Sequence, residues 1–462
     1  MSIDRKKQRK KTAFKPHLID AQDRVKNFNE VNKGYLNINE VIEECERCLQ
    51  CFKKSDPAIK PPPCMKNCPT HCNTREIIAN VLSGNIDQAL NIIYEHYPFP
   101  RSVERVCPGY CQQYCTSGKT GDPIQIPTIK RHLVDHYGLS KDFFNCKQDN
   151  GKKVAIIGSG PLGLSSAYFL RKLGFQVTIF EKLNVIGGML VSEIPEFRLP
   201  RDIVIDEINN LKRLGIEFKK NVSIDENNPL RSFFESGYDV IVIGIGTHKA
   251  KEIGLPGEDS SNVLQAIEFL KKFNLEKTHP DIRGKSVAVI GGGSTATDAA
   301  RVAKRLGAQV SIIYRRERDQ MPAGKAEVEE SFDEGIIVSF LTNPVSFICT
   351  EGELFGAVCQ KMELGDLDNS GRPKTIPIEN SNFKVDADFI IEAVGQEPDL
   401  DEFDTKDLQI TDRNTIKIDQ DFNTSLSKVL AGGDCVTGSK SVVDAVAHGK
   451  IIANQIEKLF DS

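Results

Sequence analysis

The sequence VAIIGSGPLG at Val154–Gly163 decides the fold of this chain. Its first four residues form a short apolar run, which is typical of a buried strand in a parallel sheet. Glycines follow with GxGxxG spacing, and a helical pattern comes after them. The next apolar run, Gln176–Phe180, ends on the acid Glu181. This order of strand, glycine turn, helix, strand and acid predicts a Rossmann-type dinucleotide-binding unit.

Each glycine of this turn has a separate expected task. Gly158 permits the tight turn, Gly160 lets a pyrophosphate approach the backbone, and Gly163 lets the helix pack closely on the strand. The helix N-terminus offers free N–H groups to the phosphates, and Glu181 is placed to bind a ribose hydroxyl. The cofactor is therefore expected to lack a 2′-phosphate, as FAD does; a purely structural turn is the alternative. The residues expected at this site are Gly158, Ser159, Gly160, Pro161, Gly163 and Glu181.

A second motif of the same design begins at Val287, with Ala296 in place of the third glycine. Its second strand, Val310–Ile313, ends in Tyr314-Arg315-Arg316 without an acid. Guanidinium groups bind phosphate oxygens in pairs, so this end favours the 2′-phosphate of NADPH over NADH. Two solvated arginines are the alternative, and Arg318 is either a further contact or an exposed residue. The residues expected to bind NADPH are Gly291, Gly293, Ser294, Thr295, Ala296, Arg315 and Arg316.

The chain has thirteen cysteines, and most of them crowd into one N-terminal segment. In a reducing compartment such crowding indicates metal binding rather than disulfides. The apolar spacing in Ile77–Leu82 and Ile86–Tyr94 predicts amphipathic helices around these cysteines. Structural zinc is the alternative to iron–sulfur chemistry, because paired CxxC units also suit zinc. The crowded cysteines are Cys45, Cys48, Cys51, Cys64, Cys68, Cys72, Cys107, Cys111 and Cys115.

Length and composition narrow the classes of function. The 462 residues suggest about three domains, and the net charge of −4 argues against a nucleic-acid partner. No apolar stretch approaches the ~18 residues that span a membrane, and no secretory pattern follows the basic start, so a cytoplasmic location is expected. The basic cluster Arg5–Lys11 is expected to be a solvated arm or, alternatively, a docking arm for an acidic partner.

Several further motifs resemble two known families. The resemblance is to the small subunit of glutamate synthase and to the NADPH-oxidising half of dihydropyrimidine dehydrogenase, and it runs from about Val25 to the C-terminus. The motifs that carry it are Gly187–Leu190, Ile194–Pro200, Tyr314–Ala323, Ala393–Pro398 and Ala431–Asp434.

The resemblance adds residues to the flavin site. It implies that Gly188, Gly395 and Gly433 contact cofactor and that Asp434 meets the ribityl chain of FAD. It also implies that Arg198 lies beside the flavin, with an ion pair on the surface as the alternative.

The resemblance also implies two [4Fe–4S] clusters. The first would be held by Cys48, Cys51, Cys64 and Cys115. The second would be held mostly by Cys68, Cys107 and Cys111. Its fourth ligand in the family is Gln or Glu, but Lys130 stands at the matching position and would have to lose its proton before ligating iron, at a cost of about 4–5 kcal/mol. We do not assign Lys130. Water, a neighbour such as Cys72, or an incomplete cluster are the open alternatives, although Cys72 and Cys45 are each interpreted as bystanders.

These observations predict an α/β protein with two Rossmann-like domains after an α-helical iron–sulfur domain. Residues 1–150 form the helical [4Fe–4S] domain with its basic arm, and residues 151–282 the first part of the FAD domain. Residues 283–394 form an inserted NADPH domain, and residues 395–462 complete the FAD domain. The strand-like runs Val240–Ile243 and Phe389–Ala393 are expected to cross between the two nucleotide domains.

The expected function is an NADPH oxidoreductase in which electrons pass from NADPH through FAD to the clusters and on to an acceptor. Holding the two rings in place carries the rate, so no catalytic acid or base is expected. The acceptor is a small molecule, as for a diaphorase, or a partner such as a large synthase subunit, which would make the chain an electron-donating glutamate synthase small subunit. A homo-oligomer is also compatible with the sequence, and a nucleotide-binding redox or metal sensor is the alternative from another class.

Overall fold

The computed structural model describes residues 12–52, 56, 58–368, 371–401 and 403–461. The basic cluster Arg5–Lys11, predicted to be a solvated or docking arm, lies outside these residues. No helix in the described ranges is long and apolar enough to cross a membrane.

The N-terminal module is a set of short helices after a small antiparallel β-pair. Both predicted helices are confirmed: α4 begins earlier than expected because the Asn73 side chain accepts a hydrogen bond from Glu76 N and caps it. The elements of the module are β1 (His17–Leu18), α1 (Ala21–Arg24), β2 (Asn32–Gly34), α2 (Ile38–Glu46), α3 (Pro63–Lys66), α4 (Thr74–Leu82), α5 (Ile86–Tyr94), α6 (Pro100–Val106), α7 (Tyr110–Gln113) and α8 (Ile126–Tyr137).

The first nucleotide domain is a five-stranded parallel sheet with the order β18-β6-β3-β4-β5. The predicted strand–helix–strand unit is confirmed as β3, α9 and β4, and the helix α17 from the end of the chain packs on α9. The elements are β3 (Lys153–Ile157), α9 (Pro161–Lys172), β4 (Gln176–Glu181), α10 (Met189–Ser192), α11 (Arg201–Arg213), β5 (Glu217–Lys220), α12 (Arg231–Glu235), β6 (Val240–Ile243), β18 (Val429–Ala431), α16 (Asp434–Thr437) and α17 (Val442–Asp461).

The second nucleotide domain is also a five-stranded parallel sheet, with the order β11-β10-β9-β16-β8. The helices α13 and α14 contact each other, and α14 packs on β9 and β10. The elements are β8 (Val263–Gln265), α13 (Ala266–Lys271), β9 (Ser286–Ile290), α14 (Ser294–Arg305), β10 (Gln309–Ile313), α15 (Lys325–Asp333), β11 (Ile337–Ser339) and β16 (Phe389–Glu392).

Two expectations about the join between these domains need correction. The strands β6 and β16 do not cross between the domains, because each is hydrogen-bonded on both sides within its own parallel sheet. The crossing is made by the antiparallel pair β7 (Lys249–Ala250) and β17 (Gln396–Glu397). Since β8 pairs with β16 in the second sheet, the boundary predicted between residues 282 and 283 lies too late in the chain.

An antiparallel excursion, which the sequence analysis did not predict, leaves the second sheet after β11 and returns to it at β16. Its strands are β12 (Thr342–Thr350), β13 (Glu353–Leu367), β14 (Pro373–Pro377) and β15 (Phe383–Asp386). Arg372, just before β14, lines the same cavity as the second glycine turn, as described below.

The helical module and the first nucleotide domain share one hydrophobic core. Buried residues of the module, such as Ile93 and Leu133, belong to the same cluster as Ile156 of β3 and Ile452 of α17. The cysteine segment is therefore packed against the helices that cover the sheet with the first glycine turn, with α6 in contact with α11 and α17.

Candidate functional site

Both glycine turns open into one cavity of about 1310 Å³. Val106, Pro108 and Tyr110 of the cysteine module line the same cavity, and they flank Cys107 and Cys111. The geometry therefore brings both predicted nucleotide turns and part of the predicted cluster site to one space. The predicted site residues on its wall are Gly158, Ser159, Gly160, Pro161, Glu181, Gly188, Arg198, Gly291, Gly293, Ser294, Thr295, Arg315, Arg316, Gly395, Gly433 and Asp434.

The first turn is built as tightly as its spacing predicts. Gly158 has φ +100°, and a Cβ there would lie 2.4 Å from Gly244 O. Gly163 is away from the cavity, and a Cβ on it would lie 2.0 Å from Gly158 O, so its part is the close packing of helix on strand. At Gly160, by contrast, a Cβ would meet no heavy atom within 4 Å, so the backbone is open to the cavity.

Glu181 ends β4 on the cavity wall with its carboxylate held in place. Its Oε2 accepts hydrogen bonds from Ser159 N at 3.0 Å and Ser159 Oγ at 2.5 Å, and its Oε1 accepts one from Leu183 N at 2.8 Å. The side chain thus fastens the first glycine turn to the end of the neighbouring strand, and the ribose contact predicted for it stays a prediction.

The second turn differs from the first at its third small residue. Gly293 has open space where a Cβ would stand, as Gly160 has in the first turn. Ala296 is fully buried in the hydrophobic core beside Val289 and is not on the cavity wall. Ala296, which was predicted to lie at the NADPH site, therefore packs beneath the turn.

Three arginine side chains form a basic cluster on the cavity wall beside the second turn. Arg315 and Arg316 are joined there by Arg372, which the sequence analysis missed because it comes from the connection between β13 and β14. Arg316 Nε donates to Pro373 O at 2.8 Å, and its Nη2 is 3.3 Å from Asp368 Oδ2. Burial and the positive charges of Arg316 and Arg372 lower the pKa of Arg315, which indicates a site suited to an anion.

Two other predicted arginines lie in contrasting places. Arg318 forms an ion pair with Glu329 on the surface and is not on the cavity wall. Arg198 lines the cavity, and its guanidinium forms ion pairs with Asp298 and Glu327 of the second nucleotide domain. The alternative of an ion pair on the surface is wrong for Arg198, whose side chain is only 11% exposed.

The far wall of the cavity carries Asp434 and a pair that the sequence analysis missed. Burial raises the pKa of Asp434 to about 7, although its Oδ1 accepts a hydrogen bond from Lys440 N at 3.2 Å. Nearby, His248 Nδ1 lies 3.1 Å from Glu193 Oε1. Burial lowers the pKa of His248, but the hydrogen bond and charge of Glu193 outweigh it and raise that pKa overall. No sequence motif identifies His248 or Glu193 as a site residue.

The first predicted set of cluster ligands comes together as expected. Cys48, Cys51, Cys64 and Cys115 line one small cavity, although Cys115 lies far from the others in the sequence. Burial, with the neighbouring thiols, raises the pKa of Cys48 and of Cys64 to about 12. Thiols gathered in this way need a cation to become thiolates, so the donor set fits an iron–sulfur cluster.

The second predicted set lies beside a buried polar cluster of Tyr97, Glu104 and Lys130. Cys68 and Cys111 are buried, and Cys68 Sγ lies 3.3 Å from Tyr97 Oη. Lys130, which we did not assign as a ligand, is buried beside them with its Nζ 2.6 Å from Glu104 Oε1. Across the described residues, no three His, Cys, Asp or Glu side chains are arranged to hold a single metal ion.

Comparison with known proteins agrees with this division of the chain. Residues 152–449 match the pyridine nucleotide-disulphide oxidoreductase family, and residues 24–141 match the family described as dihydropyrimidine dehydrogenase domain II, 4Fe-4S cluster. These matches confirm an iron–sulfur domain followed by a nucleotide-binding oxidoreductase fold of the FAD and NADPH type.

Individual relatives cover different parts of the chain. The NADP(+)-dependent formate dehydrogenase subunit beta of Moorella thermoacetica is 36% identical over 86% of this chain, which spans 59% of that protein's length. The glutamate synthase [NADPH] small chain of Halomonas elongata is 32% identical over 94% of both chains. Among solved structures, Mycobacterium tuberculosis FprA in complex with NADPH matches 67% of this chain and 86% of its own, at 20% identity and a TM-score of 0.57, which supports the fold alone.

The resemblance noted in the sequence is thereby confirmed by relatives that match almost end to end. The chain belongs to the pyridine nucleotide-disulphide oxidoreductase family, carries an N-terminal 4Fe-4S domain, and is homologous to glutamate synthase small chains.

Proposed function

We propose that this chain oxidises NADPH at the second glycine turn, with FAD on the first, and delivers the electrons through two [4Fe–4S] clusters to an acceptor. The observation that carries the proposal is the shared cavity: both turns and the residues that flank Cys107 and Cys111 line it together. When bound, FAD accepts a hydride and can release its electrons one at a time, which connects a two-electron donor to one-electron clusters.

The residues of the chain supply binding and orientation. The open positions at Gly160 and Gly293 let pyrophosphates approach the helix N-termini. Arg315, with Arg372 beside it, takes the 2′-phosphate of NADPH, and Glu181 takes the ribose of FAD. Since holding two rings together is worth several kcal/mol by itself, the reaction needs no acid or base from a side chain.

Electrons leave through the first cluster site, which is near the surface. Phe52 and Tyr114, next to Cys51 and Cys115, are 41% and 55% exposed. Exposed aromatic side chains beside a redox site suit contact with another protein. Both the glutamate synthase and the formate dehydrogenase relatives are named as chains or subunits of larger enzymes, so we propose a partner subunit as the acceptor, ahead of a small oxidant.

The same chemistry fits a reducing, cytoplasmic location, because all thirteen cysteines are free thiols. In an oxidising compartment the crowded thiols would form disulfides before clusters could assemble.

Anaerobic titration of the full-length purified chain with NADPH tests the proposal. We expect the yellow flavin band to bleach and to return when an artificial acceptor is added, with a much weaker response to NADH. A colourless protein that holds zinc and binds nucleotide without turnover would contradict the proposal and support the sensor alternative.

The order of electron transfer has its own test. Cys48→Ser removes a ligand of the first cluster, and we expect NADPH still to bleach the flavin while reduction of cytochrome c, a one-electron acceptor too large for the cavity, is lost. Cys146→Ser, outside both cysteine sets, is the matched control and should reduce cytochrome c at the wild-type rate. Equal rates for the two variants would rule out exit through the first cluster.

A further inference from the structure

The second cysteine set lacks one ligand. A [4Fe–4S] cluster is commonly held by four thiolates, and Cys68, Cys107 and Cys111 provide three. Two further side chains that could complete the set lie against these cysteines: Lys130 and Cys72.

Lys130 is already engaged by other partners. Its Nζ lies 2.6 Å from Glu104 Oε1, donates to Tyr97 Oη at 3.3 Å, and stands 4.5 Å from the centre of the Tyr97 ring. An ammonium group has three donors and no lone pair to offer a metal. Because its Nζ is already bound to Glu104 Oε1 and to Tyr97 Oη, this side chain is a neighbour of the cluster site and not a ligand.

A turn in the backbone after Cys68 directs the chain at Cys72 back towards the cluster site. His71 N donates to Cys68 O at 2.9 Å, and His71 itself has φ +53°, in the left-handed region. This reversal buries the Cys72 side chain completely. The Tyr97 hydroxyl lies 3.3 Å from Cys68 Sγ, and Cys72 is buried close by in the same hydrophobic cluster as Cys68 and Cys111. The Tyr97 hydroxyl therefore lies near both thiols.

We propose that Cys72 is the fourth ligand of a second [4Fe–4S] cluster, completing the set of Cys68, Cys107 and Cys111. This inference rests on the proposed function and specifies one of its two clusters. On assembly the S–H bond of Cys72 breaks, an S–Fe bond forms, and the proton leaves to solvent. Cys72, interpreted from the sequence as a bystander, becomes a ligand because Lys130 cannot be one.

Cluster content measured without turnover tests this assignment. The full-length chain, its Cys72→Ser variant and the control Cys146→Ser are purified anaerobically, and iron, sulfide and flavin are assayed. We expect about eight iron atoms per chain, two [4Fe–4S] clusters, in the wild type and in the control. In Cys72→Ser we expect about one to four iron atoms fewer, with the EPR signal of a three-iron cluster or the loss of the second cluster's signal after dithionite reduction.

A second variant separates ligation from folding. Cys72→Asp keeps an anionic ligand, so we expect it to restore most of the iron but to change the EPR signal of the second cluster only. Flavin content and bleaching by NADPH should stay at wild-type levels in both variants. Full iron and an unchanged EPR spectrum in Cys72→Ser would overturn the assignment of Cys72 alone. A wild type with a single cluster would overturn this inference and the two-cluster proposal together, and a wild type that NADPH cannot bleach would overturn the proposed function instead.

Discussion

Arg198 Nη1 lies 2.6 Å from Asp298 Oδ2, in a buried ion pair that joins the segment before α11 to the helix α14 of the second nucleotide domain. The other end of the same guanidinium pairs with Glu327. Burial raises the pKa of Asp298 to about 6 despite the positive charge of Arg198. One arginine thus pairs with two carboxylates at the place where the two nucleotide domains face each other across the cavity.

Arg198→Ala should destabilise the chain strongly. Removing one partner of a buried ion pair leaves uncompensated charge and typically costs about 3–5 kcal/mol. We expect a clear fall in the midpoint of denaturant unfolding, measured anaerobically on the holoprotein. Arg318→Ala is the control, since its exposed pair with Glu329 is worth about 0–1 kcal/mol. Similar midpoints for the two variants would show that the Arg198 pair does not hold the domains together.

Arg315→Ala should weaken the preference for NADPH over NADH. A charge-assisted hydrogen bond to phosphate is worth about 1.5–3 kcal/mol, so we expect kcat/KM for NADPH to fall by about 10- to 100-fold. The value for NADH should hardly change, because NADH has no 2′-phosphate. Steady-state kinetics with both nucleotides and a common artificial acceptor provide the measurement.

Arg315 is the better position for this test than its neighbour. Arg316 also donates hydrogen bonds to Pro373 O and Asp368, which fix the antiparallel excursion in place. Its removal would therefore combine a structural effect with the loss of a phosphate contact. Arg318→Ala serves again as the control and should leave the ratio of NADPH to NADH turnover unchanged. An equal loss with both nucleotides in Arg315→Ala would argue against a 2′-phosphate contact.

Local pattern was enough to predict the two glycine turns, and the family resemblance implied the first cysteine set, while contacts that depend on distant strands were not predictable. The run Val154–Gly163 contains its own strand, turn and helix, so periodicity and spacing identify it. Arg372 reaches the cavity only through the pairing of Leu367 with Pro373 across β13 and β14. The three-residue strand Val263–Gln265 is too short to show a period, and its sheet is decided by its pairing with β16.

The same limit applies to two single side chains. An ion pair on the surface was a reasonable alternative for Arg198, because its partners Asp298 and Glu327 are brought to it by the tertiary fold. The sequence favours Cys72 as a bystander, because the turn at His71 that buries its thiol near Cys68 leaves no local signal.

Glu207 should make the contact between the helical module and the FAD domain sensitive to pH. Its carboxylate accepts hydrogen bonds from Arg101 N, Ser102 N and Ser102 Oγ at the start of α6. Burial, which outweighs these bonds, raises the pKa of Glu207 from 4.5 to about 7. The folded chain therefore binds more protons than the unfolded chain between these values, and the stability due to this group is lost as the pH rises through about 7.

Thermal midpoints of the holoprotein at pH 5 and pH 7.5 test this expectation. Relative to Glu207→Gln, which cannot titrate, the wild type should lose up to about 1.4 kcal/mol for each pH unit in this window. Asp206→Asn changes the neighbouring, largely exposed acid on the same helix and should keep the pH dependence of the wild type. A difference between wild type and Glu207→Gln that is the same at both pH values would mean that Glu207 does not titrate there.

Glu181→Ala should release FAD from the chain. The carboxylate of Glu181 accepts two hydrogen bonds from Ser159 and one from Leu183 N, so its loss leaves buried donors unpaired at the turn that faces the pyrophosphate, at about 1–3 kcal/mol for each group. We expect the flavin-to-protein ratio after ultrafiltration to fall well below that of the wild type, with Glu181→Gln intermediate because its amide keeps one acceptor oxygen. Glu217→Gln is the matched control: Glu217 accepts from Thr178 Oγ1 on the adjacent strand but stands on the exposed edge of the same sheet, so this variant should retain its flavin. Full flavin retention in Glu181→Ala would show that the turn binds its dinucleotide without this carboxylate.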